Sequence, residues 1–182
     1  KNIADFVRSA RNHGISKTLA SRFSGGKPWD YDIINPGFNY RLDEIRASLG
    51  LSQLKRINSL NSKRFLASKY YSKQLEEIPG IITPEIFRYK EHTYHLYIIR
   101  IKNEFGQNRD VVFKELKKVG IHASLHYKPL HRFSAYKNLT KTYGRLDNSE
   151  QIYKESLSLP LYPSISKKQQ DLVIHNIEKY GD

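Results

Sequence analysis

Neither cysteine nor methionine occurs among the 182 residues, and tryptophan occurs once, at Trp29. Without cysteine there is no disulfide and no thiolate metal site, and a reducing, cytoplasmic compartment is the expected setting. Long apolar runs are missing too. No stretch approaches the ~20 residues that a membrane-spanning helix needs, so no membrane partner is expected. The missing methionine bears on the extent of the chain. It opens Lys1-Asn2-Ile3 and enters a helical pattern almost at once, so it is expected to be a piece of a longer protein.

Acidic residues are few beside basic ones, 18 against 31, which leaves a formal charge of +13. Such a surface draws nucleic acid, anionic lipid or small phosphorylated ligands, and charge alone does not choose among them. The Lys and Arg are scattered, with no basic tail and no block of like charge. A chain of this length can bury a sizeable core in one or two domains.

Residues 3–11 carry Ile3, Phe6, Val7 and Ala10 at the i, i+3, i+4, i+7 spacing of a helix with one buried face. Asn12-His13-Gly14 ends it. From 16 to 37 the chain reads as a long loop punctuated by Gly25-Gly26, Pro28 and Pro36, with Trp29 and Tyr31 expected at an interface. A second helix is expected from Tyr40 or Arg41 to about Ile78, with Ser59-Leu60-Asn61 as a candidate break. Strands are expected over 93–101 and 121–127, helices over 109–119, 149–157 and 167–180, and a short extended piece over 157–160. This order predicts an α+β fold, a layer of helices on one sheet.

The stretch 37–50, GFNYRLDEIRASLG, sets Asn39 and Arg41 at the expected start of the second helix. A helix start presents unpaired N–H groups and partial positive charge. Asn39 is therefore either a simple cap or, with Arg41, part of an anion site. His122 and His126 share a side of a predicted strand, with His131 near in sequence, which admits a metal reading. No carboxylate-rich cluster joins them, so no metal is expected. Thirteen tyrosines on a basic background admit a single-stranded nucleic-acid surface. Tyr70, Tyr71, Tyr94, Tyr97 and Tyr180, however, fall at core spacing, and no recognised nucleic-acid motif is present, so core packing is the better account.

Five segments occur in order: RNHG over 11–14, GFNYRLDEIRASLGLSQL from Gly37, YHLYIIRI from Tyr94, GIHASLHYKPLH from Gly120 and LSLPLYPSIS from Leu157. Together they resemble the C-terminal half of the DegT/StrS-type sugar aminotransferases, pyridoxal-phosphate enzymes of the aspartate aminotransferase fold. The resemblance implies three parts: a remnant of the large cofactor-binding domain with a long loop (1–38), a linking helix or helices (39–78), and an α+β small domain (79–182). It implies transfer of an amino group, commonly from glutamate, onto a keto group of a nucleotide-linked sugar. It further implies pyridoxal phosphate (PLP) as cofactor, and a homodimer whose active sites are shared across the interface.

Carried over residue by residue, the resemblance sets Asn39, with Arg41 beside it, at the cofactor phosphate of the neighbouring site. It sets His126, Tyr127 and His131, from the HYKPLH turn, at the sugar substrate. The family's Schiff-base lysine and the carboxylate that pairs with the pyridinium nitrogen lie upstream in the family and match nothing in this sequence. Lys1 is not assigned to that role, no catalytic residue is expected in this chain, and the chain alone is expected to be inactive. Two other classes stay open: a non-catalytic relative that builds an oligomer, and a basic nucleic-acid module with steeply salt-dependent binding.

Overall fold

The computed structural model describes residues 2–16, 19–24, 27–85, 92–137 and 144–181; Lys1 and Gly25-Gly26 lie outside them. The backbone divides into two compact units, Lys1–Lys55 and Arg56–Asp182.

In the first unit α1 (Asn2–Ala10) is followed by α2 (Leu19–Ser24), a short helix inside the stretch expected to be loop, and by the opening turns of α3 (Glu44–Leu75). The apolar stripe on α1 is there, but only Ala10 is buried; Ile3 is 82% exposed, and Phe6 and Val7 are more than half exposed. Leu42, just before α3, and Ile45, Leu49 and Leu54 on it are exposed as well, and Trp29 is 73% exposed. Helical spacing makes a face apolar; it does not supply the surface that covers it. No described segment of this chain covers these faces.

The third helix starts later than its sequence pattern implies. The Asp43 carboxylate accepts from the backbone N–H of Arg46 at 2.9 Å, the bond an N-cap makes, and Glu44 opens the first turn. The residues over 40–42 are therefore not helical, and Asn39 is not the cap. Past its start α3 runs unbroken through Ser59-Leu60-Asn61 to Leu75.

The second unit is built on a three-stranded antiparallel sheet in the order β1 (Ile81–Ile82), β2 (Tyr97–Ile101), β3 (Ser156–Leu159). Ile99 lies opposite Leu157 and Tyr97 opposite Leu159. Alternation along β2 buries Tyr97, Ile99 and Ile101, and these meet Leu116 of α4 (Arg109–Lys118), Ile177 of α7 (Lys167–Gly181) and Leu75 at the end of α3. The short α5 (Ser134–Lys137) and α6 (Asp147–Glu155) precede β3. Tyr71 and Tyr97 stack at 5.2 Å inside the core. Tyr71 donates to the Pro160 carbonyl at 3.2 Å, and Tyr97 shares a 2.9 Å hydrogen bond with Ser72. Burial pushes both phenols well above their usual range, so they are neutral core groups. Tyr94 is buried with them, while Tyr70 and Tyr180 pack at the margin.

Two expected strands are altered, each for a local reason. The 93–101 strand begins only at Tyr97, because Tyr94 has φ 46°, in the left-handed region, and breaks the extended run. The expected strand over 121–127 is absent; only Ser124 bridges Ser158 of β3. An antiparallel ladder would continue at Ser156 on one side and Pro160 on the other. The Ser156 carbonyl already accepts from Arg109 Nη1 at 3.1 Å, and Pro160 has no N–H to give. The segment touches β3 once and then turns away. Among the described residues no helix is long and apolar enough to cross a membrane.

Candidate functional site

Two stretches marked by the sequence hold the candidate residues, one in each unit. In the first unit the RNHG and GFNYR segments, far apart in the sequence reading, pair with each other. Asn12 bridges Asn39, the His13 N–H donates to the Phe38 carbonyl at 2.9 Å, and the Tyr40 N–H donates to the Arg11 carbonyl at 2.9 Å. Glycine is required where the strands of this bracket meet. A Cβ on Gly37 would stand 2.2 Å from the Gly14 nitrogen, and one on Gly14 would stand 1.7 Å from the Asn35 carbonyl oxygen. Gly14 also has φ +72°, which L side chains rarely adopt.

The bracket displays donors. Phe38 and Tyr40 stack at 4.9 Å on one side of the extended segment, so alternation turns Asn39 to the other side. The Asn39 carboxamide and the Arg41 guanidinium are exposed and make no side-chain hydrogen bond or ion pair with any described residue. Asn12, the bridge partner of Asn39, is half-buried, and its carboxamide likewise engages nothing among the described residues. Sequence reasoning missed Asn12 because its relevance depends on a pairing 27 positions away in sequence.

In the second unit the HYKPLH turn is pinned at both ends. His126 Nδ1 lies 2.8 Å from Ser158 Oγ on β3, and the Tyr127 ring stands edge-on to the imidazole at 4.6 Å. Tyr127 itself is 75% exposed. The chain then tightens into a 3-10 turn, Leu130–Arg132. There His131 Nε2 sits 2.5 Å from Glu150 Oε1, while Arg132 Nε donates to the same oxygen at 2.8 Å and Arg132 Nη2 bonds Glu150 Oε2. Glu150 belongs to the first turn of α6, so one carboxylate ties the turn to that helix. His126 and Tyr127, with Arg109, Ser149 and Tyr153, line a cavity of about 350 Å³; His131 is not on its wall. His122 is exposed, and no strand forms over 121–127 to set it on one side with His126. Among the described residues no three His, Asp or Glu side chains converge in a way that could hold a metal ion.

The clamp has a testable pH dependence. Hydrogen bonds from Arg132, and then from His131, hold the Glu150 carboxyl below its usual range. A carboxyl depressed in the fold contributes fully above its unfolded value, about 4.3, and its contribution is lost as pH falls through the lower folded value. The Arg132 Nε–H and Nη–H resonances should hold their clamped shifts down to about pH 4 and move only below it. In Glu150→Gln they should be released at every pH. Identical titrations in the two proteins would remove Glu150 from this role.

With that geometry in hand, comparison with known proteins places the chain. The model of the DegT/DnrJ/EryC1/StrS aminotransferase family matches residues 1–178, and the chain belongs to that family. It is 33% identical over 173 residues to the UDP-4-amino-4,6-dideoxy-N-acetyl-beta-L-altrosamine transaminase of Campylobacter jejuni, a match that covers 95% of this chain and 44% of that protein. Its fold is similar to that of Helicobacter pylori PseC, an aminotransferase involved in the biosynthesis of pseudoaminic acid. That match has TM-score 0.85 and 27% identity, covering 99% of this chain and 46% of that one. It is also similar to the putative sugar aminotransferase Spr1654 from Streptococcus pneumoniae in its PMP form, with TM-score 0.84 and 28% identity over 99% of this chain and 45% of that one. The same Spr1654 protein has been solved in a PLP form. The chain spans about half the length of the curated relatives it matches.

Proposed function

We propose that this chain is the C-terminal portion of a PLP-dependent nucleotide-sugar aminotransferase that moves an amino group, from glutamate, onto a keto-sugar. The observation that carries the proposal is the bracket around Asn39: two glycines at contact distance hold an extended segment whose carboxamide and guanidinium engage nothing among the described residues. Exposed amide and guanidinium donors side by side suit a phosphate dianion, which accepts several charge-assisted hydrogen bonds. The donor set fits the cofactor's phosphate. It fits without the helix dipole, since α3 begins beyond Arg41.

When bound, PLP supplies the electron sink through which an amino group can leave one carbon and be set on another. The residues of this chain bind and orient. Asn39 and Arg41 fix the phosphate, so the cofactor ring keeps one position through the reaction. His126, Tyr127 and His131 form part of the wall against which the sugar is held, His126 directed by Ser158 and His131 by Glu150. The Schiff-base lysine is assigned to the segment of the parent protein outside this chain, and the chain alone is inactive. The division into 1–38, 39–78 and 79–182 belongs to the same proposal, as does a homodimer that shares its active sites. The uncovered apolar faces of α1 and α3 support it, because a parent enzyme of twice this length has surface to place on them.

Asn39→Ala in the parent enzyme tests the reading. The side chain is exposed and unbonded, so the substitution should change folding stability by no more than about 0.5 kcal/mol. Retention of PLP after gel filtration, followed by its absorbance, should fall by at least about tenfold, the loss expected for a hydrogen bond to a charged group. Unaltered retention would take Asn39 out of the site and favour a non-catalytic relative that assembles through this segment.

A further inference from the structure

We propose that the cavity between Arg109, His126, Tyr127, Ser149 and Tyr153 binds a phosphoryl or diphosphoryl group, a second anion site that lies wholly in the Arg56–Asp182 unit. The inference rests in part on the sugar-pocket reading, with which it shares His126 and Tyr127, and adds a phosphate to this unit where that reading assigns none. At about 350 Å³ the space admits one small group and not an entire nucleotide sugar.

The wall decides the charge. It carries a guanidinium, an imidazole, two serines and two tyrosines, and no carboxylate. Arg109 is only 5% exposed, an unusual place for a guanidinium. Its Nε donates to Asp110 Oδ1 at 2.6 Å and its Nη1 to the Ser156 carbonyl at 3.1 Å, which leaves Nη2 unengaged. Among the described residues no buried side-chain nitrogen or oxygen lacks a partner, so Nη2 is not sealed in the core. The carboxylate that offsets this charge, Asp110, is 69% exposed and well hydrated, which weakens its hold on the pair. Nearby, the Tyr153 ring has the Arg109 Cζ at 5.1 Å from its centroid, and at 5.2 Å the Arg132 Cζ, whose charge Glu150 already offsets.

Donors on the same wall select the shape of the anion. The Ser149 hydroxyl, the Tyr127 and Tyr153 hydroxyls and His126 Nε2 make no hydrogen bond with a described residue. Donors distributed around a cavity match the three-dimensional oxygens of a phosphoryl group better than the two coplanar oxygens of a carboxylate. The contrast is internal to the molecule. A larger cavity of about 630 Å³ also has Arg109 on its wall, with Lys102 and Lys154, but it is lined as well by Asp110 and Glu155, whose charge opposes an anion.

Isothermal titration calorimetry on the 182-residue chain tests the site, with pyrophosphate, UDP, uridine and L-glutamate as probes. Pyrophosphate is expected to bind at one site, and neutral uridine not to bind. Arg109→Gln and Ser149→Asp should each weaken pyrophosphate by at least about tenfold, the first by removing a charged donor and the second by setting a carboxylate on the rim. Lys154→Ala, on the other cavity, should leave it unchanged. UDP binding tighter than pyrophosphate would name a nucleotide diphosphate as the source, and equal binding would name free phosphate species; both support the site. The proposal is overturned if pyrophosphate does not bind, if both variants bind it as well as the parent sequence, or if glutamate binds more tightly. Should Arg109→Gln not fold by circular dichroism, Ser149→Asp at its exposed position still decides. None of these readouts involves PLP or Asn39, so loss of this site and loss of the aminotransferase reading are told apart.

Discussion

Gly14→Ala is expected to open the bracket that displays Asn39 without removing a single donor. The added Cβ would stand 1.7 Å from the Asn35 carbonyl oxygen, a distance at which backbone must move, and alanine at φ +72° carries its own strain. The left-handed conformation costs about 1–2 kcal/mol for a residue with a Cβ, and forced overpacking adds about 1–3 kcal/mol. The two together should amount to roughly 2–5 kcal/mol lost locally. Hydrogen exchange reads the effect directly. The amides of His13, Ile34 and Tyr40, which bond across the bracket to Phe38, Gly14 and Arg11, should lose protection by orders of magnitude, while those of Tyr97 to Ile101 in the sheet should not change. In the parent enzyme the same substitution should lower PLP retention as far as Asn39→Ala does. Unchanged protection at His13 and Tyr40 would mean that the close approach of the two segments is not what holds Asn39 in place.

The second large effect is in the sheet. Leu157→Ala should lower the unfolding free energy of the chain by about 2–5 kcal/mol, the range for a leucine truncated in a core that cannot collapse around the void. Leu157 is fully buried, lies opposite the equally buried Ile99, and sits one residue from Ser158, to which His126 is bonded. The urea midpoint should therefore shift with little change in slope, since the same surface is exposed on unfolding. The His126 ring resonances should broaden or move in the folded protein, because β3 is the anchor of the turn. A loss under about 1 kcal/mol would show a core that repacks easily, contrary to the tight β2–β3 pairing.

Much of this was legible before any coordinates. The helix expected over 109–119 is found at Arg109–Lys118, where the Asn108 side chain caps the start by accepting from the Asp110 and Val111 amides. The helix expected over 167–180 is Lys167–Gly181, and the order of elements in the second unit is the mixed helix-and-sheet layer that the periodicity implied. Strong spacing over ten or more residues survives translation into structure because the same side chains must be buried whatever they pack against. Short apolar runs do not have that protection. Residues 121–127 alternate like a strand, yet whether they become one depends on hydrogen-bonding groups of β3 that Arg109 and Pro160 had already removed.

The sites divide along the same line. Local sequence was enough to mark Asn39, Arg41, His126, Tyr127 and His131 as chemically unusual, through residue type, turn-forming neighbours and a resemblance spread over five segments. It was not enough to say how any of them is held. The sequence placed the helix start at Tyr40 or Arg41 with Asn39 as its candidate cap; the formed helix is capped by Asp43 instead. Glu150 as a clamp, Arg109 as a buried cation and Asn12 beside Asn39 carry no local signature, because each acts on a partner between 18 and 47 positions away.

The sequence by itself determined which faces are apolar, where long helices run, which family the segments resemble and which side chains are available for chemistry. Tertiary structure alone decided which donors stay unengaged and which are consumed by the fold. The reason is physical: periodicity and capping are properties of neighbours along the chain, whereas the state of a guanidinium or a carboxamide is set by whatever distant atoms come within about 3 Å of it.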